Sequence, residues 1–374
     1  MDRSIKRAIN LKELGELKEA IAILKEKVLE NPLNMEAYPH LIHALSLNGE
    51  EAKAWFFLQK AENIDSQNAM LLANKARLLL RKKDINGAFE TIQISLNKNR
   101  NSAFALLILS NIFRVKGIID KAKLAVDLSI KAEPKYAEAY AFRAMLNQHN
   151  RDMDMALADI KNALILKPHL ADMLDTFISE KNRKEIIDMI EQMLNHISKD
   201  KQPKLLTKLG EYRYANGDIT DAINCFELAL KINPNLANVH KKIANLFTMK
   251  IDTLDNAIKH YNKAMSINPN DFELFNNIAA ILVIQKKEKL AIENYKKALV
   301  LNPTAIKVYD NLANLLMQEK RFDEAFEILE KALSIEPNYF DIYMRLGQYF
   351  TEIEKLDKSI ESVSYTHLTL PTKA

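Results

Sequence analysis

The sequence predicts an all-α fold, an α-solenoid of antiparallel helix pairs. Its 374 residues include only seven glycines and ten prolines, fewer than the turns of β-proteins and α/β-proteins consume. Hydrophobic residues make up 48% and charged residues 27% of the chain, which is typical of a folded protein. The chain is longer than one globular core usually grows, and its regularly spaced small residues favour a repeat array over separate domains.

Small residues recur at a fixed interval. The first series is spaced by 34 or 35 residues, with one interval of 66, and comprises Ala20, Ala54, Ala88, Ala122, Ala156, Ala222, Ala257, Ala291 and Ala325. The second series, seven positions later, comprises Ala61, Ser95, Ser129, Ala163, Ala229, Ala264, Ala298 and Ala332. Prolines twelve positions after seven of the first alanines are Pro32, Pro134, Pro168, Pro234, Pro269, Pro303 and Pro337. Small residues let two helices approach closely and proline stops a helix, so each repeat is predicted to be helix, short turn, helix and stop.

Two kinds of turn separate the predicted helices. Inner turns such as Leu47-Asn48-Gly49 and Asn216-Gly217-Asp218 lie where the first helix gives way to the second. The turn between repeats is exemplified by Leu301-Asn302-Pro303-Thr304. There we expect Asn302 to end one helix in the left-handed conformation, Pro303 to prevent its continuation and Thr304 to cap the next helix.

The order of small, large apolar or aromatic, small and proline residues, as in Ala291, Tyr295, Ala298 and Pro303, resembles the tetratricopeptide repeat. The resemblance implies a right-handed superhelix of about eleven tandem repeats. We assign repeats one to five to residues 1–169, a degenerate sixth to 170–202, repeats seven to ten to 203–339 and a partial eleventh to 340–363.

The sixth unit departs from the pattern. The interval of 66 equals 34 plus 32, so this unit is two residues short. A bulky residue near Ile187 or Ile190 replaces the expected alanine, and 180–184 replaces the usual glycine turn. The apolar spacing that follows still predicts a helix. We interpret the unit as a drifted repeat that keeps stacking, with a functional hinge as the alternative.

The end of the chain does not continue the repeat. Lys355-Leu356-Asp357 opens the second helix of the eleventh repeat, but from Ser364 the residues match neither a helical period nor a polar capping helix. We interpret 364–374 as a non-native tail, the translated read-through of a sequencing adapter, against the alternative of a genuine C-terminal tail. On this interpretation the natural protein continues past residue 363.

Charge and composition narrow the partners and the compartment. The 53 basic and 49 acidic residues give a net charge of +4 that is spread along the chain, so nucleic acid is not an expected partner. No stretch reaches the roughly 18 consecutive apolar residues of a membrane helix, and the start shows no signal peptide. The only cysteine, Cys225, cannot form an internal disulfide. We therefore predict a cytoplasmic protein that does not associate with membranes.

We find no motif for catalysis. The sequence lacks a glycine-rich phosphate loop and a serine elbow, and His40 and His43, three residues apart on one predicted helix, have no third ligand placed by sequence. We therefore predict neither an enzyme nor a cofactor or metal site. The family resemblance implies a scaffold or adaptor that binds a peptide or protein segment in a concave groove lined by the first helices.

One subset of the family supplies a candidate site. It resembles co-chaperones that clamp a C-terminal carboxylate, and the corresponding positions are Lys241, Asn245, Asn277, Lys307 and Asn311. Lysine would supply charge-assisted hydrogen bonds and asparagine would orient the carboxylate, so an acidic C-terminus is a possible partner. Asn311 stands where arginine is expected, which removes bidentate recognition. The alternative is that these are solvated lysines and helix-packing asparagines.

A second resemblance gives an alternative function. In O-linked N-acetylglucosamine transferases, a ladder of asparagines on the repeats grips the substrate, and here only Asn74, Asn277 and Asn311 are asparagine among ten equivalent positions. Ile108 and Phe142 occupy two others and indicate an apolar stripe that could take a hydrophobic segment, although burial between repeats explains them equally well. The alternative function is the substrate-recognition arm of a truncated enzyme of this kind.

Overall fold

A computed structural model of the chain describes residues 2–353. It divides into two compact units, Met1–Asn216 (unit 1) and Gly217–Ala374 (unit 2). The predicted helix from Lys355 and the predicted tail at 364–374 lie outside the described residues.

Unit 1 consists of helices joined by short turns. Its α-helices are α1 (Arg3–Glu13), α2 (Leu17–Glu30), α3 (Tyr38–Leu47), α4 (Glu51–Asp65), α5 (Ala69–Arg81), α6 (Ile85–Lys98), α7 (Ala103–Val115), α8 (Ile119–Ala132), α9 (Ala137–His149), α10 (Met153–Leu166), α11 (Arg183–Leu194) and α12 (Pro203–Ala215). Two 3₁₀ helices, Pro168–Thr176 and Lys199–Lys201, interrupt the series.

Unit 2 continues the same pattern of alternating first and second helices. Its α-helices are α13 (Ile219–Ile232), α14 (Ala237–Phe247), α15 (Leu254–Ile267), α16 (Phe272–Ile284), α17 (Glu288–Leu301), α18 (Ile306–Gln318), α19 (Phe322–Ile335) and α20 (Phe340–Glu352). A 3₁₀ helix, Ile251–Thr253, precedes α15. No strand occurs in residues 2–353, and the predicted all-α solenoid of helix pairs is confirmed.

The two series of small residues lie where helices meet. Every alanine of the first series is fully buried, and the members of the second series are at most 1% exposed. The two serines of the second series satisfy their hydroxyls locally, because Ser95 Oγ donates to the Ala69 carbonyl at 2.7 Å and Ser129 Oγ to the Ala103 carbonyl at 2.8 Å. Each accepting carbonyl belongs to the first residue of the preceding helix, so this bond joins the two helices of one repeat.

The inner turn of most repeats contains a residue in the left-handed conformation. Glycine fills this position at Gly15, Gly49, Gly117 and Gly217, whereas Lys83, Arg151, Lys286 and Lys320 adopt it with φ between 54° and 65°. A side chain makes this conformation costly, by about 1–2 kcal/mol. The fold therefore imposes the same turn whether or not the sequence offers glycine.

The turn between repeats differs from the expectation for Asn302. This residue is extended, with φ −136° and ψ 91°, and its Oδ1 accepts from the Thr304 backbone N–H at 3.1 Å. The prediction of a left-handed Asn302 was wrong because the residue before a proline is driven to extended conformations. The residue that caps α18 is Ala305, without a side-chain hydrogen bond, so the expected cap by Thr304 was also wrong.

In the sixth unit, the 3₁₀ helix Pro168–Thr176 stands where a first α-helix would lie, and α11 follows it. Ile187 and Ile190 are 4% and 0% exposed, so bulky side chains fill the place of the expected alanine. The helix ends at Leu194, and it contacts both α10 and α12.

Candidate binding surfaces

Two of the predicted clamp residues in unit 2 belong to one chain of side-chain amides. Asn311 Nδ2 donates to Asn276 Oδ1 at 3.0 Å, and Asn276 Nδ2 donates to Asn277 Oδ1 at 3.1 Å. The three side chains are partly buried and connect α16 with α18. Two neighbouring first helices are thus joined by amide hydrogen bonds.

Tyr261 on α15 extends this chain towards the preceding repeat. Its hydroxyl donates to Asn245 Oδ1 at 2.5 Å, and a hydrogen bond from Asn277 favours its ionised form. Burial is the larger influence and raises the pKa of Tyr261 to about 12. Asn245, Asn277 and Asn311 are therefore members of one polar network that also includes Tyr261 and Asn276.

Lys241 has anionic partners within the protein. Its Nζ lies 2.6 Å from Glu273 Oε2 and 3.1 Å from Asp271 Oδ2. Burial alone would lower the pKa of Lys241, but the hydrogen bonds to Glu273 and Asp271 raise it above its ordinary value. A carboxylate that approached this ammonium group would compete with two carboxylates already present.

The structure thus gathers Asn245, Asn277 and Asn311 into the polar network, pairs Lys241 with two acids and leaves Lys307 exposed on α18. Tyr261 and Asn276 were missed by sequence reasoning. Asparagine and tyrosine are ordinary packing residues in the pattern, so residue type alone does not show that these two side chains join the network.

A groove in unit 1 is the second candidate surface. It is formed by the first helices α3, α5, α7 and α9, together with the 3₁₀ helix Pro168–Thr176. Its volume is about 270 Å³. We define the unit 1 groove by six of its lining residues: His43, Arg77, Phe104, Ile108, Glu138 and Phe142. Ile108 is 6% exposed and Phe142 is partly buried, so the predicted apolar stripe lies within this groove.

Some polar groups of the unit 1 groove have hydrogen-bond partners within the described structure, and others have none. His43 stacks obliquely on Phe104, with ring centroids 4.6 Å apart, and burial together with the nearby Arg77 lowers its pKa well below the ordinary value. Lys167 donates to Glu138 Oε1 at 2.6 Å, but Glu138 Oε2 is buried without a hydrogen-bond partner among the described residues. His43 is therefore neutral at pH 7, and Glu138 retains an unused acceptor.

Arg77 is the basic residue of the groove. It is partly buried, and burial lowers the pKa of its guanidinium, which nevertheless stays charged. Within residues 2–353 it forms no hydrogen bond and no ion pair. Sequence reasoning named Ile108 and Phe142 but missed Arg77, because an isolated arginine on an amphipathic helix is normally solvated.

The described residues contain no group of three or more histidine, cysteine, aspartate or glutamate side chains placed to hold a metal ion. Across the same part of the chain, no helix has the length and apolar character needed to cross a membrane.

The fold defines the class as an α-helical repeat protein made of consecutive helix pairs. Three family models described as tetratricopeptide repeat match residues 203–236, 242–271 and 306–349. The chain contains tetratricopeptide repeats. These matches support a protein-interaction scaffold.

Several solved structures are similar to part of the chain. A crystal structure of MamA has 21% sequence identity and a TM-score of 0.39, and the match covers 43% of this chain and 93% of MamA. MamA from Desulfovibrio magneticus RS-1 has 16% identity and a TM-score of 0.41, covering 45% and 94%. YrrB, a tetratricopeptide-repeat protein with an unusual peptide-binding site, has 18% identity and a TM-score of 0.37, covering 45% and 87%. No curated protein matches the chain significantly.

Proposed function

We propose that this protein is a scaffold that binds a segment of a partner protein in the unit 1 groove. The observation that carries the proposal is that first helices from four successive repeats jointly form an apolar groove with a few polar groups. Binding surfaces that recognise protein segments combine apolar contact area with such isolated polar groups. The groove is open to a side chain, and the backbone of a segment can follow the line of the first helices.

The test uses a defined peptide pool. Fluorescein-labelled nine-residue peptides, acetylated and amidated, carry random apolar residues around one central aspartate, and binding is followed by fluorescence anisotropy. Phe142→Glu places a charge in the groove and should weaken binding at least tenfold. Phe56→Glu is the matched control, because Phe56 lies on the second helix α4 and is 52% exposed.

Thermal melting of both variants shows that each still folds. No binding by the wild-type protein, or equal losses from Phe142→Glu and Phe56→Glu, would contradict the proposed function.

The carboxylate clamp in unit 2 is a separate proposal about the same class of function. An acidic C-terminal peptide that docks at Lys241 has to displace Glu273 or Asp271. Lys241→Ala and Lys307→Ala should each weaken binding of such a peptide, and Glu273→Gln should strengthen it. Unchanged affinity in all three variants would remove the clamp.

The alternative function, the recognition arm of a truncated enzyme, stays a prediction. Sequencing an intact clone through codon 363 and onward tests it, because the alternative requires a catalytic domain in the same reading frame.

A further inference from the structure

Arg77 stands apart from the other arginines that are partly buried. Within residues 2–353 these are Arg77, Arg143, Arg183, Arg213 and Arg345, and all but Arg77 donate to an acceptor. Arg143 pairs with Asp159 at 2.6 Å and Arg345 with Asp310 at 2.8 Å. Removing a guanidinium from water without giving it an acceptor is unfavourable, so an anion that reaches Arg77 gains a charge-assisted hydrogen bond.

Arg77 lies between apolar walls. Towards α3 lie His43 and Leu47, and towards α7 and α9 lie Phe104 and Phe142. His43 is neutral and adds no charge to this surrounding. A ligand that fits the unit 1 groove therefore needs apolar surface on both sides of a single negative charge.

Glu138, the acidic residue that lines the groove, does not neutralise Arg77. Glu138 favours the charged form of Arg77 through space, yet the two side chains do not approach to ion-pair distance within the described structure. Glu138 is instead bonded to Lys167 through Oε1. Its Oε2 atom is buried and has no hydrogen-bond partner among the described residues, Arg77 included.

We propose that the unit 1 groove binds a segment with an internal aspartate or glutamate flanked by apolar residues. The carboxylate pairs with Arg77, and the flanking side chains pack against Phe104 and Phe142. The acid is internal to the segment because the groove continues on both sides of Arg77. This inference rests on the proposed function and adds the chemistry of the partner.

The experiment compares the aspartate pool described above with an otherwise identical pool whose central residue is asparagine. Both pools are acetylated and amidated, so the side chain supplies the only carboxylate of the peptide. We expect the wild-type protein to bind the aspartate pool at least tenfold more tightly than the asparagine pool. Arg77→Met should reduce this ratio to about one, and Arg77→Lys should leave an intermediate ratio, since a point charge replaces the planar fork.

Arg81→Met is the matched control. Arg81 lies one turn further along α5, does not line the groove and pairs with Glu51 at 2.7 Å. This variant should keep the wild-type ratio.

Equal, measurable affinity of the wild-type protein for the two pools, or an Arg77→Met protein that still discriminates, would overturn the inference and leave the proposed function standing. Failure of both pools to bind the wild-type protein would overturn both.

Discussion

His240 Nδ1 and His260 Nδ1 lie 3.1 Å apart, across the turn from α14 to α15. His240 Nε2 donates to the Pro234 carbonyl at 3.2 Å, so its Nδ1 carries the lone pair and accepts a hydrogen bond from His260 Nδ1. This assignment follows from the hydrogen-bond partners, and it requires the His240 ring to be neutral.

The pair predicts a specific pH dependence. Burial and the neighbouring His240 and Lys263 lower the pKa of His260 to about 4, whereas the unfolded chain keeps the ordinary value near 6.5. As the pH falls from about 6.5 towards 4, protons bind the unfolded chain first, so the contribution of the pair is full above 6.5 and is lost through this interval. His260→Gln should reduce the loss of unfolding free energy between pH 7.5 and 5 by about 1 kcal/mol, with allowance for partial exposure.

Urea unfolding at the two pH values measures this difference. His149→Gln changes an exposed histidine at the end of α9 and serves as the comparison for a histidine outside the pair. An unchanged pH dependence in His260→Gln would show that the pair does not titrate on unfolding.

Tyr261→Phe removes the hydroxyl that joins Asn245 and Asn277. Because Tyr261 is 1% exposed, we expect a loss of about 1–3 kcal/mol in unfolding free energy. Tyr309→Phe, whose hydroxyl donates to the Pro303 carbonyl at 3.1 Å near the surface, should cost about 0.5–1.5 kcal/mol. Equal losses of unfolding free energy in the two variants would show that the network stabilises unit 2 no more than an ordinary tyrosine hydrogen bond does.

Ala291→Leu should overpack the contact between α16 and α17 and cost about 1–3 kcal/mol, because Ala291 is fully buried at that contact. Lys297→Leu, on the exposed face of the same helix, should change the unfolding free energy by less than about 0.5 kcal/mol. Chemical denaturation measures both. A neutral Ala291→Leu would mean that the small series does not set the helix spacing.

Lys286→Gly should stabilise the protein by about 1 kcal/mol, since Lys286 has φ 54° and glycine adopts this conformation without a clash. Lys296→Gly should have the opposite effect. It places glycine at an exposed position in the interior of α17, which should lower the unfolding free energy by about 1 kcal/mol. Thermal melting distinguishes a gain from a loss. Destabilisation by both substitutions would show that the left-handed turn carries no strain.

The sequence predicts the helix pairs well because they depend on local spacing. Ala291 and its equivalents mark a helix contact that recurs from repeat to repeat. The same spacing of small residues therefore appears many times in the sequence and can be recognised. Residues in turns were predicted less well. Nothing in the type of Lys286 indicates a left-handed backbone, and the expectation for Asn302 failed because the following Pro303 restricts it.

The candidate sites depend on distances between repeats, which the pattern does not contain. Ile108 and Phe142 could be assigned to an apolar stripe because their positions repeat. The absence of an ion pair at Arg77 among the described residues depends on the three-dimensional positions of the neighbouring acidic side chains, which the sequence does not give. In the same way, the sequence places Lys241 at a clamp position but does not show that Glu273 lies beside it.

The polar network from Asn245 to Asn311 also affects local unfolding in unit 2. In a stack whose repeats touch only through apolar side chains, one repeat can detach while the next stays closed. Here each amide depends on the one beside it, so separating α16 from α18 leaves a donor and an acceptor unmatched. The backbone amides of α14, α16 and α18 should then exchange their hydrogens with solvent in a single opening event, as one cooperative block.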